Sequence, residues 1–221
     1  DTMSLTINGT TLSAIAITSD ANSSAAITAA IQGNSTLAAS LTVTDNGDGT
    51  VDIIDSTGAD ITIDDLTLAD NAGGDLDATV QSLTAAGTTI GTTTAVASGS
   101  GVVMTGHLSF TATDATKSYS LFSSDGSGKL TTATSSSKGT GAAEHITFTG
   151  FTTANNNSID AATPASAVTA QTLTLVTDGS SDSIAIAAGA TAQDIATSVN
   201  NNLSGISATA TTGARLTVGG T

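Results

Sequence analysis

A chain of 221 residues has room for one large domain or two small ones. Its 38% hydrophobic content supplies a core, and with 2% aromatic residues and no Trp that core must be packed by Ala, Val, Ile and Leu. Nineteen acids stand against four bases (Lys117, Lys129, Lys138 and Arg215), a net charge of −15 that excludes a phosphate-reading nucleic-acid surface and disfavours an anionic membrane. The absence of Cys excludes disulfides and thiolate metal sites, while 72 Ser and Thr among abundant Val and Ile point to folded β structure rather than disorder.

Asp1-Thr2-Met3-Ser4 has neither a basic start nor an apolar run, so no signal peptide is expected, and a start on Asp reads as an internal piece of a longer protein. Leu5-Thr6-Ile7 and Ile15-Ala16-Ile17 alternate as strands about the turn signal Asn8-Gly9. Residues 23–31 differ: Ala is dense and Ile27 and Ile31 are four apart. A helix of two or three turns is predicted there, capped by Ser23 or Ser24 and ending near Gly33-Asn34. Strands resume at Leu41-Thr42-Val43 and Val51-Asp52-Ile53 around the turn Asp45-Asn46-Gly47-Asp48-Gly49, then at Ile61-Thr62-Ile63 and Leu66-Thr67-Leu68.

The middle is less regular. Residues 75–83 are expected to be a helix, and residues 102–111 a strand pair or one long bent strand. Residues 78–113 hold no Asp, Glu, Lys or Arg but are too rich in Gly, Ser and Thr for a membrane span. Tyr119-Ser120-Leu121-Phe122 and Ile146-Thr147-Phe148 read as strands. All five aromatics fall between 110 and 151 and are expected to form a local core. Residues 135–141 and 155–158 read as exposed loops, and Pro164 as part of a linker.

The C-terminal part repeats the plan of the first. Leu173-Thr174-Leu175, the turn Asp178-Gly179 and Ile184-Ala185-Ile186 precede a helix over residues 191–200, with Thr191 as N-cap and Asp194 closing a capping box. Ile206-Ser207-Ala208-Thr209-Ala210 and Arg215-Leu216-Thr217-Val218 are predicted as two further strands. Leu5 and Leu173, Ile7 and Leu175, Ile27 and Ile195, and Ile31 and Val199 are each 168 residues apart, which marks an internal repeat. The predicted fold is therefore mainly β (α+β): two similar β-rich units each with one short helix (residues 1–68 and 165–221), plus a middle β-rich lobe (residues 69–160).

Chemistry-bearing patterns are few. Asp45-Asn46-Gly47-Asp48-Gly49-Thr50 fails the EF-hand pattern, since Gly occupies positions 3 and 5 and Thr position 6, so a hairpin turn is expected. Asp60, Asp64, Asp65, Asp70, Asp75 and Asp77 read as a solvated acidic surface. His107 and His145 have no ligand spacing, and G-x-S-x-G is absent. Sequons at Asn8, Asn22, Asn34, Asn156 and Asn202 are close to what chance gives for this composition. No catalytic, cofactor-binding or metal residues are expected, and the chain is not expected to be an enzyme.

The segment Leu5-Thr6-Ile7-Asn8-Gly9-Thr10, the Ala-rich helix, and the strands Leu41-Thr42-Val43 and Val51-Asp52-Ile53 resemble the repeated motif of bacterial flagellins, named for an Ile-Asn pair. Val199-Asn200 matches that pair, and Ile31-Gln32 departs from it by one conservative step. Val103-Met104-Thr105-Gly106-His107-Leu108-Ser109-Phe110 is similar to a strand of flagellin outer domains. The resemblance covers about half of the chain. It implies the surface-exposed outer domain of an extracellular flagellar filament subunit, in contact with neighbouring subunits, with O-glycans on exposed Ser and Thr. The alternatives are a hook-associated or cap protein domain and a calcium-dependent secreted adhesin or S-layer-like repeat. Flagellins polymerise through long heptad-patterned helices at both ends, and neither end here carries that pattern.

Overall fold

A computed structural model describes residues 1–18, 20–69, 76–84, 86–96, 98–114, 117, 119–124, 133–135, 145–147 and 168–220. In chain order the elements are β1 (Thr2–Ile7), β2 (Thr10–Ala16), α1 (Asp20–Gly33), α2 (Ser35–Ser40), β3 (Thr42–Asp45), β4 (Thr50–Asp55), β5 (Ile61–Ala69), β6 (Leu76–Leu83), β7 (Thr89–Val96), β8 (Ser100–Met104), β9 (His107–Ala112), β10 (Tyr119–Ser123), β11 (Ala133–Ser135), β12 (His145–Thr147), β13 (Gln171–Thr177), β14 (Ser180–Ile186), α3 (Ala192–Asn202) and β15 (Ile206–Gly220). The fold is mainly β, in three antiparallel sheets: β2-β1-β5-β8, β11-β10-β13-β14, and a larger sheet β12-β9-β15-β4-β3 in which β6 also pairs with β15 and β7 with β6.

Strand alternation builds two separate cores. Met3, Leu5 and Ile7 of β1, Ile61 and Ile63 of β5, Ile27 and Ile31 of α1, Val51 and Ile53 of β4, and Leu216 and Val218 of β15 enclose the first. Leu173 and Leu175 of β13, Ile184 and Ile186 of β14, Ile195 and Val199 of α3, Phe110 of β9 and Ile206 of β15 enclose the second. The middle strands are shared between them. Ala78 and Val80 of β6, Val96 of β7 and Val102 and Met104 of β8 join the first core, whereas Leu108, Phe110, Tyr119 and Leu121 join the second. Of the aromatics expected to cluster, Phe110 and Tyr119 are in that second core, Phe122 is 41% exposed, and Phe148 and Phe151 lie outside the described residues.

Among the described residues, two stretches of chain cross from lobe to lobe. One is the step from β8 to β9 through Thr105-Gly106. The other is β15, whose first half pairs with β9 and whose second half is held between β4 and β6. The residues expected to form two strands after α3 are thus one continuous strand of 15 residues. Gly213, between the two expected strands, is needed for close approach: a Cβ there would lie 2.7 Å from the Cβ of Leu83 on β6.

Other expectations change for equally local reasons. Of the helix expected at residues 75–83, Leu76–Leu83 form strand β6 instead, and Asp75 lies outside the described residues; Ala78 and Val80 are buried with Thr79 half-buried between them, a period of two. Ile61-Thr62-Ile63 and Leu66-Thr67-Leu68 belong to one strand, β5, with a register shift where Asp65 takes φ +49°. Helix α1 begins before Ser23 and Ser24, which are buried within it, and the Ser23 hydroxyl donates to the Val218 carbonyl at 2.9 Å. α1 ends at Gly33 as expected, and Asn34 then caps α2, its side chain accepting from Thr36 N at 3.0 Å and Leu37 N at 3.3 Å.

The two hairpin–helix units share their topology. β1 and β2 meet at Asn8-Gly9 (φ 48° and 74°), and β13 and β14 at Asp178-Gly179 (φ 45° and 90°), two-residue turns that need positive φ at both positions. Each hairpin's first strand then takes a second antiparallel neighbour, β5 in one lobe and β10 in the other. The repeat is not gap-free, however. Asp178 follows Asn8 by 170 residues and Ile195 follows Ile27 by 168. One of the two extra residues in the first unit is the bulge in β2 at Ala14 (φ 55°), where the register against β1 shifts.

Candidate functional site

The patterns singled out in the sequence do not converge on a reaction centre. Asp45 and Asp48 organise the β3–β4 turn: Gly47 N donates to Asp45 Oδ1 at 2.9 Å, and Thr50 N and Oγ1 donate to Asp48 Oδ1 at 3.1 and 2.6 Å. These bonds, the hydroxyl first, hold the Asp48 carboxyl below the usual carboxylate range. His107 pairs with Thr211 across β9 and β15, and the backbone of His145 pairs with Thr111. Among the described residues no three His, Cys, Asp or Glu side chains group in a metal-holding cluster, and no helix is long and apolar enough to cross a membrane.

The acidic stretch is divided by the fold. Asp70 and Asp75 lie outside the described residues, as does the side chain of Asp77. Asp65 is exposed on the β5 bulge, and burial, reinforced by Asp65, pushes the neighbouring Asp64 carboxyl upward. Asp60 is not part of a solvated face. It is half-buried where the lobes meet, and its Oδ1 is buried with no hydrogen-bond partner. Burial, then the negative charge of Asp194 on α3, push its carboxyl up to about 6; a hydrogen bond from the Gly106 amide opposes them.

Small residues let the lobes approach closely around Asp60. Gly58, in the turn after β4, takes φ +80° and sits against Ala210 of β15 with no room for a Cβ. Its carbonyl accepts from the Gln193 amide at the start of α3 at 3.1 Å. A Cβ on Gly106 would lie 2.6 Å from Thr212 Oγ1, 2.7 Å from the Ala192 Cβ and 2.8 Å from the Gly58 carbonyl. Thr212 is fully buried, and its hydroxyl has no hydrogen-bond partner. The N-terminus of α3 is itself fixed by the expected capping box: Asp194 N donates to Thr191 Oγ1 at 3.1 Å and Thr191 N to Asp194 Oδ2 at 2.9 Å. Sequence reasoning singled out Asp60 and Asp194 separately; their meeting depends on a tertiary contact 134 residues apart in the chain.

A second constellation repeats in both lobes. At the end of α3 the Asn200 amide grips the backbone of Ala208 on β15, donating to its carbonyl at 2.8 Å and accepting from its N–H at 2.7 Å. At the corresponding place in α1, Gln32 donates to the Val43 carbonyl of β3 at 3.4 Å. The Asn of the Ile-Asn-type pair therefore ties a helix end to the strand that follows. The free sides of β2 and β14 are polar, with Thr11, Ser13, Ser181 and Ser183 exposed. No protein-family model, no curated protein and no solved structure matches this chain.

Proposed function

We propose that this chain is the surface-displayed outer domain of a flagellin, a structural subunit of an extracellular filament, and that it has no catalytic role. The observation that carries this reading is the twice-built unit of hairpin, helix and clamped strand, with its Ile31-Gln32 and Val199-Asn200 pairs at the two helix ends. Two further features support it. Both ends of the described chain belong to the first lobe: Asp1 O accepts from Ile17 N beside β1, and β15 ends against Leu76 of β6. In this reading the polymerising helices join at that lobe and the second lobe stands outermost. The exterior also suits display, with a charge of −15 to oppose nonspecific aggregation and hydroxyl-bearing edge strands available for lateral contact with neighbouring subunits and for O-glycans.

Immunogold electron microscopy of the producing cells, with antibodies raised against the second lobe, tests the reading. Decoration along the whole length of extracellular filaments is expected. Label confined to filament tips or hook junctions would move the chain to a cap or hook-associated protein, and an even coat over the cell envelope would make it an adhesin or S-layer component. In the same preparation, calcium is expected to leave the melting temperature unchanged; a large rise would favour the calcium-dependent adhesin.

A further inference from the structure

We propose that the seam between the lobes is a proton-set hinge: a proton on Asp60 clamps the lobes into one rigid body, and ionised Asp60 near Asp194 loosens them to pivot about the crossings at Gly106 and Thr212-Gly213. Small residues meet at the seam, Gly58 on Ala210 and Gly106 on Ala192 and Thr212, so these contacts bury little apolar surface, whereas the large aliphatic side chains lie inside the two cores. Two buried polar atoms at the seam, Asp60 Oδ1 and Thr212 Oγ1, have no partners, so closing it forfeits their hydration. The backbone bond from Gln193 N to Gly58 O is a direct fastening between α3 and the turn after β4, and it brings the neighbours of Asp194 and Asp60 in sequence together.

The titratable groups at the seam come from each element packed there. The carboxylate of Asp194 on α3 is close enough to push Asp60 upward. Asp55, at the end of β4, holds its own turn by accepting from Thr57 N at 2.7 Å, and His107 follows Gly106 on β9. Among the described residues, the charge that acts on Asp60 is the Asp194 carboxylate, which opposes its ionisation. The closed seam raises the Asp60 pKa from 3.8 to about 6. Closure is therefore fully favoured below the ordinary carboxylate range and weakens as pH rises through about 6. The ratio of closed to open forms is expected to fall roughly 10- to 100-fold across that interval.

The chain has no native Cys, so Thr44→Cys on β3 and Ser181→Cys on β14, both exposed, accept a pair of spin labels across the seam. Pulsed dipolar spectroscopy is expected to give a narrow interlobe distance distribution at about pH 5 and a broad one at about pH 7.5. Asp60→Asn, which keeps shape and removes the titrating group, is expected to give narrow distributions at both, and Asp194→Asn, which leaves Asp60 buried, to weaken the pH response without abolishing it. Equal widths at the two pH values in the parent, or an unchanged pH response in Asp60→Asn, overturns the hinge. Carbon-13 NMR of the parent decides independently of the variants: Asp60 titrating in step with the broadening supports it, and titration in the ordinary carboxylate range sinks it. Narrowing by calcium alone at the higher pH, with no effect of protons, would make the seam a cation site instead and also overturns it.

Discussion

Arg215 is one of four bases in the chain, and it lies directly across from Asp52 in the β15–β4 ladder. Its Nε and Nη2 donate to the two carboxylate oxygens at 2.6 and 2.8 Å, and Nη2 reaches the Gly87 carbonyl at 3.4 Å. The planar guanidinium suits this two-point contact in a way an ammonium does not. The Asp52 side chain is only 10% exposed, so Arg215→Ala leaves a nearly buried carboxylate without its cation. A loss of about 2–3 kcal/mol is expected, read as a lower urea midpoint with an unchanged slope; Arg215→Lys should recover only part of it. Glycines separate two kinds of cost. Gly9 takes φ +74° with nothing within 4 Å of a would-be Cβ, so Gly9→Ala meets only backbone strain, about 1 kcal/mol. Gly106→Ala would drive a methyl into Thr212, Ala192 and the Gly58 carbonyl, and is expected to cost at least about 3 kcal/mol. Similar losses for the two variants in urea unfolding would show that the seam is looser than its distances indicate.

Among the elements, the helix-end amides make the most testable comparison. Asn200 is bound at both its oxygen and its nitrogen to Ala208, whereas Gln32 makes one long bond from an exposed position. Asn200→Ala is expected to cost about 1–2 kcal/mol and Gln32→Ala less than about 0.5, with amide exchange at Ala208 accelerating in the first variant. Equal effects would mean that the strand is held by its ladder and not by the helix. These elements also show how far the sequence could be read. Strands of period two, the Asn8-Gly9 and Asp178-Gly179 turns and the Thr191–Asp194 capping box were legible because each is set by residues within a few positions. The helix expected at 75–83 was not, because a strand that pairs with β15 and β7 draws its stability from partners remote in sequence. The helix end near Gly33-Asn34 was legible, but the second role of Asn34 as the cap of α2 was not. The break expected between residues 210 and 215 is absent for a related reason: a glycine that permits close packing looks the same in sequence as one that ends a strand. Asp60 was lost to the acidic run around it, since the groups that act on it, Asp194 and the Gly106 amide, are remote in sequence.

At the scale of the whole molecule, an excess of fifteen negative charges and two separately packed cores make stability a function of pH. The contributions have opposite signs. Asp48, held below its ordinary range by Thr50, adds stability that is present above 3.8 and fades as pH falls through its lowered value. Asp60 and Asp64, both raised by burial, act the other way: their contribution is complete below 3.8 and is lost as pH rises, for Asp60 through about 6. The melting temperature is therefore expected to peak near pH 4–5 and to decline toward neutrality. A displacement of the Asp60 carboxyl from 3.8 to about 6 carries roughly 3 kcal/mol in full, and its partial access to water trims this to about 1–2 kcal/mol. Asp60→Asn should raise stability at neutral pH by that amount and flatten the alkaline side of the profile. Salt provides the control. It screens the exposed charges and lifts the neutral-pH melting temperature of both proteins, but it acts less on a carboxylate pair sheltered in the seam. The gap between parent and Asp60→Asn should accordingly persist at about 0.5 M salt. If it closes there, Asp60 is only one of many surface charges, and the coupling of the two lobes does not pass through it.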